Sequence, residues 1–323
     1  MTLGIPASDG LRQYISTLRG SFDMEYAVAS ETNRKLYELG KEKSWNATTD
    51  IDWQAPRPIW PFDGDEVGFA AYPGYVGFDE QQRQEFLWQL LAWHVSQFLH
   101  GEQGALLVAS QLVSCAPDIS SKMYAASQTS DEARHVEVLR AYQAARDLDL
   151  YPVSLSLSRL LSKILTDERW DFKLIGMQVI IEGIALASLQ NIKDRSKDPL
   201  FSEIIGYVLK DEARHVTFGI DFLQRHLATL SEQEFEQRAK FCLDACIVMR
   251  DRFVPVDLFS RYGWNWGETL KHLSGTEYVR TYKDVLFRRV VPVVNKLGLI
   301  TPRTAPHYET IGALAYKDEE VLC

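Results

Sequence analysis

Two copies of one pentapeptide carry the residues best suited to chemistry: Asp131-Glu132-Ala133-Arg134-His135 and Asp211-Glu212-Ala213-Arg214-His215. Each holds a Glu-x-x-His pair. A helix brings positions i and i+3 to one face, so the carboxylate and imidazole of each copy can converge on a metal ion. A lone Glu-x-x-His is common on solvated helix surfaces. Two further glutamates change that reading, because Glu102 precedes Glu132 by 30 residues and Glu182 precedes Glu212 by the same 30. Both lie in apolar runs, at 98–107 and 179–186. A buried carboxylate without a partner is costly, and a cation is the usual remedy.

Turn residues sit where two antiparallel helices would reverse to bring these side chains level. Pro117 and Asp118 lie at the midpoint of the first interval, and Lys197, Asp198 and Pro199 at that of the second. At about 1.5 Å per residue, the glutamates stand roughly 20 Å from each turn, in the middle of a bundle. One Glu from each of two helices and a Glu-x-x-His from each of two others make the ligand set of a dinuclear carboxylate centre in a four-helix bundle. Glu102, Glu132 and His135 are expected to serve one metal and Glu182, Glu212 and His215 the other, with Glu132 and Glu212 as bridges. The expected cofactor is two iron ions, although the same ligands suit an Fe/Mn or Mn/Mn pair. Six ligands leave coordination positions open, which makes O2 the expected co-substrate.

The elements that must position these residues are read from periodicity and caps. Asp79 is a candidate N-cap for a helix over 79–114, whose inner face carries Leu87, Leu91, His94, Phe98, Glu102, Leu106, Ala109 and Val113. His94, two turns from Glu102, and His100, off that face, are read as structural residues and not as ligands. Further helices are expected over 118–149, 167–193 and 199–230. Fifty residues separate Glu132 from Glu182, so the second and third helices are joined by a long crossover, holding an amphipathic piece at 155–165. The expected fold class is all-α: a ferritin-like four-helix bundle with a long crossover and additional flanking helices. One domain over 1–323 is expected, with its core at about 79–230. An N-terminal arm and loop occupy 1–78, including a helix at 22–39 that ends on Gly40. C-terminal helices and a tail occupy 231–323, opened by the capping box Ser231-Glu232-Gln233-Glu234. That fifth helix should reach about 253 and be followed by a loop carrying Phe259, Tyr262, Trp264 and Trp266, then a helix near 276–297. The Trp- and Pro-rich stretch at 45–78 is expected to cover the bundle, with Trp53 or Trp60 as the candidates for an electron path to the metals.

Metal-bound imidazoles normally donate their far N–H to an acceptor. Asp131 is expected to pair with His215 and Asp211 with His135 across a pseudo-twofold axis, with Arg134 and Arg214 holding the aspartates. Phe98, Leu106, Ala185, Leu186 and Val208, with Gln128 and Gln178 as polar handles, form the expected pocket for a small, largely apolar organic substrate. A net charge of −9 and a pI of about 5.4 argue against nucleic acid or an anionic membrane as partner. Cys115, Cys242, Cys246 and Cys323 show no paired framework and are read as free thiols. The start of the chain lacks a basic region followed by an apolar run, and no uninterrupted apolar stretch reaches membrane-spanning length, so a cytoplasmic protein is expected. A homodimer is the default for such a bundle.

Gly101-Glu102, the first pentapeptide, Glu182-Gly183 and the second pentapeptide resemble the ligand motifs of the ferritin-like di-iron oxygenases. They look most like those of the hydroxylase subunits of bacterial multicomponent monooxygenases. The resemblance covers about residues 80–225. It implies an O2-activating oxidase or oxygenase that receives electrons from a reductase or ferredoxin. Three positions depart from the relatives' patterns. Leu186 stands where those monooxygenases carry a threonine, Leu139 where the radical-bearing subunit of ribonucleotide reductase carries a tyrosine, and Val208 where arylamine N-oxygenases of the p-aminobenzoate type add a histidine. The reading is a non-heme di-iron oxidase or oxygenase. Its alternatives are an arylamine N-oxygenase and a ferritin-type ferroxidase that handles iron without an organic substrate.

Overall fold

The computed structural model describes residue 11 and residues 13–63, 68–250 and 254–321. Among them the regular structure is helical, with no β-strand. Before the bundle come α1 (Glu31–Glu42) and the short α2 (Pro73–Val76). The helix expected at 22–39 starts late, at the N-cap Ser30, whose Oγ accepts from Asn33 N. Gly40 lies inside α1 and does not terminate it. A Cβ there would stand 3.9 Å from Arg214 Nε, so this is the point where α1 approaches the bundle.

The bundle itself is α3 (Glu80–Cys115), α4 (Ile119–Ala145), α6 (Trp170–Arg195) and α7 (Pro199–Leu227), with α5 (Leu155–Thr166) in the crossover. Aspartates set three of the four starts. Asp79 and Gln82 exchange both capping bonds, Asp118 accepts from Ser121 N, and Asp198 accepts from Leu200 N beside Pro199. Asp198 also accepts from Arg146 Nε at 2.8 Å and from Tyr142 Oη at 2.8 Å, which ties the second hairpin's turn to the end of α4. Helix α4 stops at Ala145, short of the expected 149. Asp147 takes a left-handed conformation there (φ 52°), and Leu148 N bonds back to Gln143 O.

Helix α6 differs most from expectation. It is α-helical at Trp170–Leu174, π-helical at Ile175–Ile181, and α-helical again from Glu182. A π-turn inserts one residue without ending the helix and rotates everything after it. Gly219 of α7 makes the crossing possible, since a Cβ there would lie 2.5 Å from Gln178 Cβ. The helix is long and apolar enough to cross a membrane by length and composition, contrary to the reading of the bare sequence, but 94% of that window is buried inside the bundle. It is the central helix, packed against α7 and, among flanking elements, α8 (Glu232–Arg250) and, beyond the short α9 (Val256–Arg261) and α10 (Trp266–Ser274), α11 (Glu277–Lys296).

Of the aromatic stretch expected as a loop, Phe259 lies in α9 and Trp266 opens α10, while Tyr262 and Trp264 stay in the turn between them. Phe259, Tyr262 and Trp264 meet the earlier covering segment, where Trp264 packs on Tyr72, Phe78 and Phe86. The chain closes with α12 (Ala305–Thr310) and a 3-10 turn. Cys115, Cys242 and Cys246 are buried free thiols, and Cys323 lies outside the described residues.

Away from the bundle's centre, Asp171 on α6 joins α7 and α8 by accepting from His226 at 3.2 Å and Arg238 Nε at 2.6 Å. Burial opposes ionisation of Asp171, but these two partners outweigh it and hold the carboxyl below the usual aspartate value of 3.8. A depressed folded value means that the stability is present above pH 3.8 and is lost as the pH falls through the folded value. Asp171→Asn leaves Arg238 buried without a counter-charge and should cost about 3–5 kcal/mol at neutral pH in urea unfolding. The gap to the native chain should close as the pH falls below 3.8 and through the depressed value at which the native carboxyl protonates.

Candidate metal centre

Four helices each bring part of the site. Glu102 comes from α3, Glu132 and His135 from α4, Glu182 from α6, and Glu212 and His215 from α7, and all six side chains are buried. Ligand-type atoms of Glu102, Glu132, His135 and Glu212 lie within 4.8 Å of one another, and those of Glu132, Glu182 and His215 form a second such group. Glu132 belongs to both. Glu212 also spans the two halves, with Oε1 3.1 Å from His135 Nδ1 and Oε2 3.7 Å from His215 Nδ1.

In each imidazole Nδ1 faces the glutamates and Nε2 faces an aspartate. His135 Nε2 donates to Asp211 Oδ2 at 3.2 Å, and His215 Nε2 donates to Asp131 Oδ2 at 3.1 Å. Arg214 donates to Asp131 at 3.0 Å and to Asp211 at 2.7 Å, while Arg134 pairs with Asp131 and faces Asp211. Burial raises the pKa of both aspartates, but the histidines and Arg214 outweigh it, so the two carboxyls stay ionised. An ionised carboxylate only accepts. Nε2 therefore carries the proton, and Nδ1 keeps a lone pair for a metal.

One residue that spacing did not single out completes this network. Trp45 Nε1 donates to Asp211 Oδ2 at 2.8 Å, and its ring stacks toward His135 with centroids 6.4 Å apart. Trp53, by contrast, donates to Ala47 O, and Trp60 packs at the edge of an apolar cluster. The indole touching the site is Trp45. It lies 166 residues from Asp211 in sequence, and nothing beside it in the chain distinguishes it from the other tryptophans.

The cluster is electrostatically incomplete as a set of side chains. Burial, with the charge of Glu212, pushes Glu102 up to about 8 and Glu182 well above the carboxylate range. Burial acts the same way on Glu132, but the charges of His215 and His135 outweigh it and keep this carboxyl ionised. Both imidazoles are held well above 6.5, because hydrogen bonds to aspartates and glutamates outweigh their burial. Protons are thus drawn in to balance the carboxylates. Even so, Glu182 Oε2 is buried without a partner, and Glu132 Oε2, both oxygens of Glu212 and Nδ1 of His215 crowd together at 3.1–3.7 Å without the geometry of a hydrogen bond. Carboxylate oxygens crowded beside one another, with two imidazoles whose Nδ1 would give up its proton to a bound cation, fit two divalent cations in charge and donor type.

The residues expected to line a substrate pocket divide. Leu186 borders a cavity of about 480 Å³ between α6, α7 and α11, with Leu209, Ala213, Arg288 and Arg289 among its other walls. Leu186 and Leu209 lie one turn from Glu182 and Glu212. Phe98, Ala185 and Val208 are instead packed into the apolar core, and Leu106 is half-buried at the side of α3, whose inward positions there are Ala105 and Ala109. Gln128 and Gln178 are engaged with each other and with the glutamates. His100 Nε2 bonds to Tyr151 O, and His94 packs edge-on to Trp93 away from the cluster.

Helical bundle and buried carboxylate–histidine cluster together define a class: the ferritin-like dinuclear-metal oxidases and oxygenases. The family model for the p-aminobenzoate N-oxygenase AurF matches residues 27–298, and the chain belongs to that family. Among solved structures it is similar to a mutant of an R2-like ligand-binding oxidase with an anaerobically reconstituted Mn/Fe cofactor (TM-score 0.51, 18% identity, 84% of this chain and 92% of that one). An aerobically reconstituted form of that oxidase gives a TM-score of 0.49 at 17% identity, over 83% of this chain and 97% of the other. No functionally curated protein matches the sequence. The protein is therefore an oxidoreductase with a dinuclear metal cofactor that acts on a small substrate with O2. The alternative kept open from the sequence, an arylamine N-oxygenase, is the one whose family model matches.

Asp211→Asn keeps the shape of the side chain and removes the charge that fixes the His135 tautomer. Metal affinity should fall about 10- to 100-fold, measured by anaerobic Fe(II) titration, with helicity unchanged. An unaltered isotherm would show that Asp211 does not orient the imidazole.

Proposed function

We propose that Glu102, Glu132, His135, Glu182, Glu212 and His215 hold two iron or iron and manganese ions, and that the protein N-oxygenates a small aryl amine. The observation that carries the reading is the AurF family match over a chain whose six candidate ligands converge in one buried cluster. Two redox-active ions bound there would pass electrons to O2 and offer it open coordination positions. The protein's own residues do the rest. Nδ1 of each histidine is presented by its Asp partner, and Arg134 and Arg214 keep those aspartates ionised and in place. Apolar walls around the cluster keep water out, which suits an aromatic body.

The overall conversion is R–NH2 + O2 + 2 electrons + 2 protons to R–NHOH + H2O. A separate donor, a reductase or ferredoxin, would supply the two electrons of each turnover. Val208 keeps the protein ligands at six. The cavity bordered by Leu186 and Leu209 is the proposed approach for the substrate, with its apolar floor one turn from Glu182 and Glu212.

Iron-loaded protein, chemically reduced and then mixed with 18O2 and a panel of aryl amines, tests the reading by mass spectrometry. One labelled oxygen on the amine nitrogen supports it. Oxygen only on carbon moves the protein to hydroxylation, and conversion of added Fe(II) into a mineral core without any organic product overturns the enzyme reading in favour of iron handling.

A further inference from the structure

The offset of 80 residues that maps Glu102 onto Glu182 and Glu132 onto Glu212 makes the two halves of the cluster comparable position by position. Their ligands match, but their surroundings do not. Gln128, one turn before Glu132, donates through Nε2 to Glu132 Oε1 at 3.0 Å and to Glu182 Oε1 at 3.0 Å. Its own Oε1 accepts from Gln178 Nε2 at 3.4 Å, and Gln178 sits on the π-helical stretch that leads directly into Glu182. The offset places Val208 opposite Gln128 and Phe98 opposite Gln178, and both are buried and apolar. The half built on Glu102 thus has no amide. Glu102 is met instead by His135 Nδ1 at 3.3 Å.

We infer that Gln128 is a positioning residue that makes the two metal subsites unequal. This inference rests on the reading that the six residues hold two metals. One carboxamide nitrogen with two hydrogens can serve two carboxylates at once, and here it takes the Oε1 atom of each. Glu182 Oε2 is left without a partner and Glu132 Oε2 is turned to His135 Nδ1 at 3.3 Å, so the amide fixes which oxygen of each carboxylate it leaves free. Each subsite has a histidine–glutamate contact to give up, His215 Nδ1 to Glu132 Oε1 at 3.1 Å and His135 Nδ1 to Glu102 Oε2 at 3.3 Å. In the subsite of Glu132, Glu182 and His215 the amide already orients both carboxylates, so binding there costs less rearrangement, and the metal beside Glu102, whose carboxylate has to find its own orientation, binds second. The π-turn belongs to the same device. It swings Gln178 against Gly219, where a side chain would clash, and in reach of Gln128.

The test is titration of metal-free protein with Mn(II), free ion being followed by electron paramagnetic resonance and bound metal by elemental analysis. The native chain should take two Mn(II) in two steps, with dissociation constants at least tenfold apart. Glu182→Ala should remove the tighter step and Glu102→Ala the weaker one. Gln128→Leu, close in volume, should weaken the tighter step about 10- to 100-fold while shifting the other less, so that the two steps merge. Gln178→Met leaves Gln128 in place but unanchored and should give a smaller shift in the same direction; it decides the matter should Gln128→Leu not fold. Two ions taken up in a single step by the native chain, or unchanged steps in both glutamine variants, overturn the inference while leaving the metal centre standing. Failure to bind any Mn(II) or Fe(II) overturns the underlying reading instead.

Discussion

Four carboxylates gathered where water does not reach are the constraint on which this structure depends. In a low-dielectric interior such a group is unstable unless positive charge accompanies it. The side chains themselves supply only part of that charge. Two imidazoles and two guanidiniums lie close by, but the guanidiniums are committed to Asp131 and Asp211, and several glutamate oxygens make no hydrogen bond. Two divalent ions satisfy the set, and the helices around it are arranged as if to make that arrangement the stable one.

The arrangement is built outward in layers. Each glutamate and histidine is fixed by its place on a long helix, each histidine by an aspartate from the other pentapeptide, and each aspartate by arginines from both. The crossing of pairs joins α4 to α7 through polar contacts in the middle of an otherwise apolar bundle. Such a polar network specifies one register, since any slip would strand buried charges. Trp45, brought over by the segment after α1, covers Asp211 and closes the network from above.

Symmetry in the ligands conceals inequality in their support. A repeat of hairpins accounts for the matching glutamates and histidines, but α6 departs from the repeat through its π-helical stretch, and the amide pair of Gln128 and Gln178 exists in one half only. Metals in a site of this kind are tuned by what holds their ligands as much as by the ligands themselves. An O2-activating centre profits from unequal ions, because one can stay fixed while the other's ligands rearrange.

Much of this was legible in the chain itself. The doubled pentapeptide, the two 30-residue intervals and the turn residues at their midpoints sufficed for the bundle, its hairpins and the convergence of six side chains, because helical spacing is a local rule and equal intervals bring ligands level. The same local rules placed the cap at Asp79 and turn residues at Asp118 and Asp198, and the cross-pairing of aspartates with histidines followed from the chemistry of imidazole ligands. What only the tertiary structure decided depends on neighbours distant in sequence. Nothing near residues 175–181 announces a π-turn, and the close crossing it makes with α7 needs Gly219, where a Cβ would lie 2.5 Å from Gln178 Cβ. Trp45 and not Trp53 meets the site because of how a non-helical segment lies across two helices, and Phe98 and Val208 became packing residues and not pocket walls because the bundle closed over them. Periodicity says which side of a helix faces inward; which inward residues touch a cavity, a ligand or only one another is settled by the packing of the whole chain.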